Sequence, residues 1–175
     1  YKHSPARFHA SGLTREFVDY DSAVRWVKRY VLMGLYDSAV VVATNVQTHP
    51  ERLSYQPKEW GFRLARAELC TFYGLALIYT GKIDDGVKML KAVISDLEQE
   101  HEMPQQLQSS ESFEAWRYNL TLGWAHNNLG YAYWMELGHY ELALAELHKA
   151  LLYFQIVERA HTRSNKQTAE PDELV

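Results

Sequence analysis

Large, acidic and small residues return in the same order at three places along the chain. Gly34-Leu35-Tyr36-Asp37-Ser38-Ala39 is echoed by Gly81-Lys82-Ile83-Asp84-Asp85-Gly86 and by Gly138-His139-Tyr140-Glu141-Leu142-Ala143. Counting from each Gly, a large apolar residue stands at +2, an acidic residue at +3 and a very small one at +5. The pattern continues with Ala43, Leu90 and Leu147 at +9, then Val46, Val93 and Ala150 at +12. Intervals of three and four residues place these positions on one stripe of an α-helix.

Each element of the pattern has a physical reading. Gly takes the positive φ that ends one helix and reverses the chain. The acidic residue opens the next helix, where its oxygen caps free backbone N–H groups and meets the positive end of the dipole. The small residue admits a neighbouring helix. Upstream, Tyr30 and Leu77 stand four residues before their Gly, and Tyr133 stands five before its own. Tyr73-Gly74 and Leu129-Gly130 mark a helix crossing, whereas the first copy has Trp26-Val27 there. The third copy therefore carries one extra residue within Trp134–Leu137, which reads as a local bulge. Pro50, Pro57 and Pro104 break the chain between copies.

The pattern predicts six helices in three hairpins, at about 20–33 and 37–48, 58–80 and 84–100, and 111–137 and 140–159. The repeat region thus covers 20–159, with hairpins at about 20–48, 58–100 and 111–159. Residues 1–19 read as an N-terminal extension or cap, and 160–175, polar and with Pro171, as a tail or linker.

These residues resemble the tetratricopeptide repeat, whose pattern is Trp-x2-Leu-Gly-x2-Tyr followed by Gly-x-Tyr, Ala, Phe, Ala and Pro. The match is strongest at Leu129–Leu151, and the turn glycines lie farther apart than the roughly 34 residues of the standard repeat. Elongated hairpins of this kind resemble the sensor arrays of MalT-like bacterial signal-transduction ATPases and transcriptional regulators; the run Ala125-His126-Asn127-Asn128-Leu129-Gly130-Tyr131-Ala132-Tyr133 carries that likeness. The resemblance implies a right-handed solenoid whose first helices line a concave face. It places Trp124, Asn127, Asn128, Tyr131 and Trp134 of the third copy on that face. Glu68, Thr71, Leu75 and Ile78 join them from the second copy and Lys28 from the first. Amide side chains there can bond an extended peptide while aromatic rings supply buried area, although the family's full carboxylate clamp of Asn, Lys and Arg is not present.

Composition narrows the function. The apolar share of 47% supports a packed core, and a net charge of −4 argues against direct nucleic-acid binding. The single Cys70 excludes an internal disulfide and fits a reducing, cytoplasmic setting. No apolar run is long enough for a membrane span. The start, without Met or an apolar signal core, reads as a piece excised from a longer protein.

Candidate chemistry is sparse. Of eight His, His101, His126, His139 and His148 lie near or within helices, without i, i+4 pairing or an HExxH motif, so no metal site is expected. Cys70 reads as a small core residue. Asp84-Asp85 reads as a helix start and Glu100-His101-Glu102 as a solvated helix end. Arg25, Lys28, Arg29, Arg63, Arg66 and Arg117 read as solvated faces with intrahelical ion pairs. No phosphate-binding glycine loop occurs, and the sequon at Asn119 falls within a helix.

The reading is thus a non-catalytic protein- or peptide-binding module with no cofactor, the sensor segment of a larger bacterial signalling protein. The alternative is a small-molecule effector domain using the aromatic groove. Self-association through the exposed flank of the terminal hairpin is also expected.

Overall fold

A computed structural model describes residues 20–48, 59–98 and 112–169 of this 175-residue chain. Among them run six α-helices and no strand: α1 (Tyr20–Leu32), α2 (Tyr36–Thr48), α3 (Glu59–Tyr79), α4 (Ile83–Glu98), α5 (Phe113–Tyr131) and α6 (Tyr140–Ala169). A π-turn at Ala132–Glu136 extends α5. The class is all-α. The expected N-terminal cap at 1–19, the breaks at Pro50, Pro57 and Pro104, the Glu100-His101-Glu102 helix end and residues 170–175 lie outside the described residues.

The turn glycines do what their positions require. Gly34, Gly81 and Gly138 have φ of 72°, 85° and 66°. In the first two turns the Gly N–H bonds the carbonyl three residues back, at 3.0 Å, and the next N–H reaches five back, from Leu35 to Tyr30 and from Lys82 to Leu77. That pair of bonds is the Schellman closure of a helix C-terminus. The acidic residue does not take the cap position expected of it. Leu35, Lys82 and His139 hold the cap, their carbonyls accepting from Ala39, Gly86 and Ala143. Asp37, Asp84 and Glu141 sit inside the first turn, where the helix dipole still favours negative charge.

The extra residue of the third copy is absorbed by the π-turn. Leu137 N–H bonds the Ala132 carbonyl five residues back at 3.2 Å, and His139 bonds Tyr133 at 2.8 Å, one residue farther than in the other turns. Tyr133 stays buried, as Tyr30 and Leu77 stay against the core, while Trp134 and Met135 turn outward. Another difference lies at the C-terminus, where α6 runs on to Ala169 past its expected end near 159. Apolar periodicity fades there, but neither Gly nor Pro interrupts the helix before Pro171.

The small residues mark close crossings. A Cβ on Gly86 would lie 2.6 Å from both the Gly74 carbonyl oxygen and Ile78 Cγ1, and one on Gly130 would lie 2.8 Å from Leu147 Cγ. Ala39 and Ala143, the other two small residues at +5, are buried.

Pairwise contacts give the direction of each helix. Tyr20 meets Phe62 and Lys28 meets Glu68, a near-constant offset along α1 and α3. Glu68 meets Arg117, Phe72 meets Trp124 and Tyr79 meets Tyr131 along α3 and α5. A constant offset means parallel helices, so α1, α3 and α5 lie side by side pointing the same way. The second helices run against them: α2 places Tyr36 on Tyr79 and Gln47 on Cys70, and α6 lays Leu147 on Gly130 and Phe154 on Gly123. Central α3 sends Ala65, Leu69, Phe72 and Ala76 into one apolar cluster with α1 and α2, and Leu64, Ala67 and Ile78 into a second with α4, α5 and α6. A helix buried on two sides explains why its sequence is apolar nearly all round.

One tyrosine from each hairpin joins a stack, Tyr36 on Tyr79 at 4.2 Å between centroids and Tyr79 on Tyr131 at 5.3 Å. The hydrogen bond with Tyr131, reinforced by burial, pushes the Tyr79 phenol up to about 12 from an ordinary 10.0. Because the folded chain holds this proton more tightly, the associated stability is complete below pH 10 and is lost as pH rises toward 12. Phenolate absorbance of the native protein is expected to show a fraction titrating well above pH 10, and Tyr131→Phe to bring that fraction down. An unchanged titration in the variant would sink the assignment.

Candidate functional site

The parallel first helices enclose a groove of about 380 Å³ whose lining includes Lys28 of α1, Glu68 and Phe72 of α3, and Trp116, Arg117 and Trp124 of α5. One wall is aromatic. Trp116 and Trp124 are each 38% exposed, two turns apart on α5, with Leu120 between them and Phe113 stacked on Trp116 at 5.8 Å. Trp124 is held from below by Phe72, at 6.3 Å, and from the side by the edge of Phe154, at 5.5 Å.

The floor is a charge network that ties all three helices. Lys28 Nζ donates to Glu68 Oε1 at 2.8 Å, Arg117 Nε donates to Glu68 Oε2 at 2.8 Å, and Arg117 Nη2 donates to Asp21 Oδ1. Burial works against the Arg117 charge, but the Glu68 and Asp21 carboxylates outweigh it and raise its pKa. A carboxylate as enclosed as Glu68 is tolerated because both of its oxygens are bonded to cations. Lys28 also lies over the Phe72 ring, 5.1 Å from its centroid. The groove is therefore ordered before anything enters it.

The residues expected on a concave face divide into groups. Lys28, Glu68 and Trp124 converge in the groove. Tyr131 joins the tyrosine stack, and Trp134 stands 55% exposed on the π-turn. Thr71 and Asn128 point inward instead: Thr71 bonds the Ala67 carbonyl, and Asn128 Nδ2 donates to the Thr71 carbonyl at 3.4 Å. Both are buried, so the Asn128 amide joins α5 to α3 rather than facing an incoming chain. Asn127 is half-buried and donates to Asn128 Oδ1 at 3.5 Å. Arg117, expected on a solvated face with a partner on its own helix, bridges α1 and α3 instead. Its partners stand 49 and 96 residues away, beyond any local pattern.

A second polar cluster joins the last two hairpins. The fully buried His126 ring lies with Nδ1 2.6 Å from Glu146 Oε2 and Nε2 3.2 Å from Glu98 Oε1. Tyr153 stacks on the ring at 5.6 Å and donates its hydroxyl to Glu98 at 3.1 Å. Burial, reinforced by Glu98, raises the Tyr153 pKa. A cavity of about 510 Å³ opens over this cluster, with Lys91 and Lys149 on its lining. The two carboxylates face opposite ring nitrogens, so they do not converge on a common point.

Comparison with known protein families, curated proteins and solved structures gives no match.

Among the described residues no three His, Cys, Asp or Glu side chains are placed to hold a metal ion, and no helix is long and apolar enough to cross a membrane. Cys70 lines a wider depression of about 960 Å³ between α2, α3 and α4. Its sulfur accepts from Gln47 Nε2 at 3.0 Å, and burial pushes the thiol up despite the pull of Arg66. That direction is opposite to what an activated nucleophile needs.

Proposed function

We propose that the chain is a non-catalytic, tetratricopeptide-type solenoid that grips a segment of a protein or peptide partner in the groove of α1, α3 and α5. The observation that carries this reading is the pairing of a partly exposed aromatic wall, Trp116 and Trp124, with a floor whose charges are already mutually satisfied. Such a surface offers rigid anchor sites at small ordering cost. The parallel first helices and glycine turns support the solenoid reading. The sequence likeness at Ala125–Tyr133 supports a place in the cytoplasmic sensor segment of a larger bacterial signalling or transcription-regulating protein.

Selection of displayed random peptides on the purified chain tests this directly. Enriched peptides are expected to bind the parent and to lose roughly 30-fold in affinity against Trp124→Ala, as truncation of an interface aromatic costs about 2 kcal/mol. A saturable thermal shift with a metabolite, abolished by the same substitution and accompanied by no enriched peptide, would replace this reading with a small-molecule effector site.

A further inference from the structure

Tyr140, Leu144, Leu151 and Leu152 of α6 are 67, 58, 53 and 60% exposed. The internal repeat shows what such positions are for. Counted from the turn Gly, Tyr140, Leu144, His148 and Leu151 stand at +2, +6, +10 and +13; their counterparts are Tyr36, Val40, Thr44 and Gln47 in the first hairpin, and Ile83, Val87, Lys91 and Ile94 in the second. There the first helix of the following hairpin covers the stripe. Tyr36 stacks on Tyr79, Thr44 shares a hydrogen bond with Tyr73, and Gln47 donates to Cys70. Lys91 lies over Tyr133, and Val87 and Ile94 enter the second core cluster. Each covering helix runs antiparallel to the helix it covers. On α6 the same stripe is left open among the described residues.

The charges that bracket the stripe identify an occupant. Glu141 and Arg159 are exposed, and neither forms an ion pair among the described residues. They lie 18 residues apart, about five turns, and so on the same side of α6. Between them that side carries Leu144, His148, Leu151, Leu152 and Ile156, while Lys149 at its margin is paired with Glu146. Two copies of this helix related by a two-fold axis and laid antiparallel place Glu141 against the partner's Arg159 and Leu144 against the partner's Ile156. His148 then meets the partner's Leu152, and every contact occurs twice. A parallel pairing would oppose like charges at both ends.

We propose that α6 is a homodimerisation helix, its open stripe filled by α6 of a second copy running antiparallel. Sedimentation equilibrium of the chain is expected to show a mass that rises with concentration from one copy to two. Glu141→Arg or Arg159→Glu alone is expected to weaken association roughly tenfold, because each creates two like-charge contacts. Leu151→Glu is expected to weaken it further. The double variant E141R/R159E restores opposite charges across the two-fold axis and is expected to recover most of the loss. It leaves both helix ends with the charge their dipole disfavours, so recovery reports pairing between copies rather than helix stability. A chain that stays single at every concentration, a dimer indifferent to the single swaps, or a double variant that fails to recover would each overturn the proposal.

Discussion

His126→Ala is expected to lower the stability of the folded chain by about 3 kcal/mol, among the larger single-residue losses available to it. The ring is wholly buried, so truncation opens a cavity under Tyr153. It also strips two carboxylates of a shared partner. Glu98 is 38% exposed and can turn to water, whereas Glu146, at 17%, is left desolvated and short of a donor. The loss falls at one place, since His126 ties α4 to α5 and α6. In an array of hairpins, weakening one interface decouples the units on either side. Urea unfolding followed by helix signal is expected to shift to lower concentration and to broaden. His126→Leu restores volume without the hydrogen bonds and is expected to recover only part of the loss. A shift below about 1 kcal/mol for His126→Ala would show the cluster to be marginal.

The second large effect is expected at a helix crossing. In an ordinary helix, replacing Gly by Ala stabilises by up to about 1 kcal/mol through propensity. At Gly86 the added carbon would meet the Gly74 carbonyl and Ile78 at 2.6 Å, and the carbonyl belongs to backbone that cannot rotate aside. Separating α3 from α4 loosens the packing around Leu90, which is fully buried. The clash outweighs propensity, and Gly86→Val, with more volume and a stiffer side chain, is expected to cost about 3 kcal/mol. Thermal unfolding of the two variants would check this, with Ala milder than Val. Equal or greater stability in either variant would mean that the crossing has slack.

The hairpins were legible in the sequence because a helical turn is a local event. Gly34, Gly81 and Gly138 with the +2, +5, +9 and +12 stripe located five of the six helices to within a few residues, and the residue count around Trp134 announced the π-turn. The long reach of α6 was hidden because a solvated helix needs no apolar stripe to continue, only residues that do not stop it. The groove was half legible: Lys28, Glu68 and Trp124 could be placed by their helical phase, but the span of Arg117 across α1 and α3 depends on how hairpins stack. Asn128 and Thr71 look the same on a helical wheel whether they face a groove or a neighbouring helix. His126 was indistinguishable from a surface histidine until its carboxylates, 20 and 28 residues away, were brought to it.

The π-turn has a consequence for how such a chain can change. An added residue in a helix normally rotates everything beyond it by about 100°, which would swing a buried stripe into water. Here the surplus is confined to five residues, Ala132–Glu136, and both the turn at Gly138 and the packing of α6 on α5 keep their phase. Insertions are thus quarantined within one turn of helix. A lineage carrying this hairpin can lengthen it one residue at a time, trying out new side chains at the Trp134–Met135 rim, without re-deriving the core beneath.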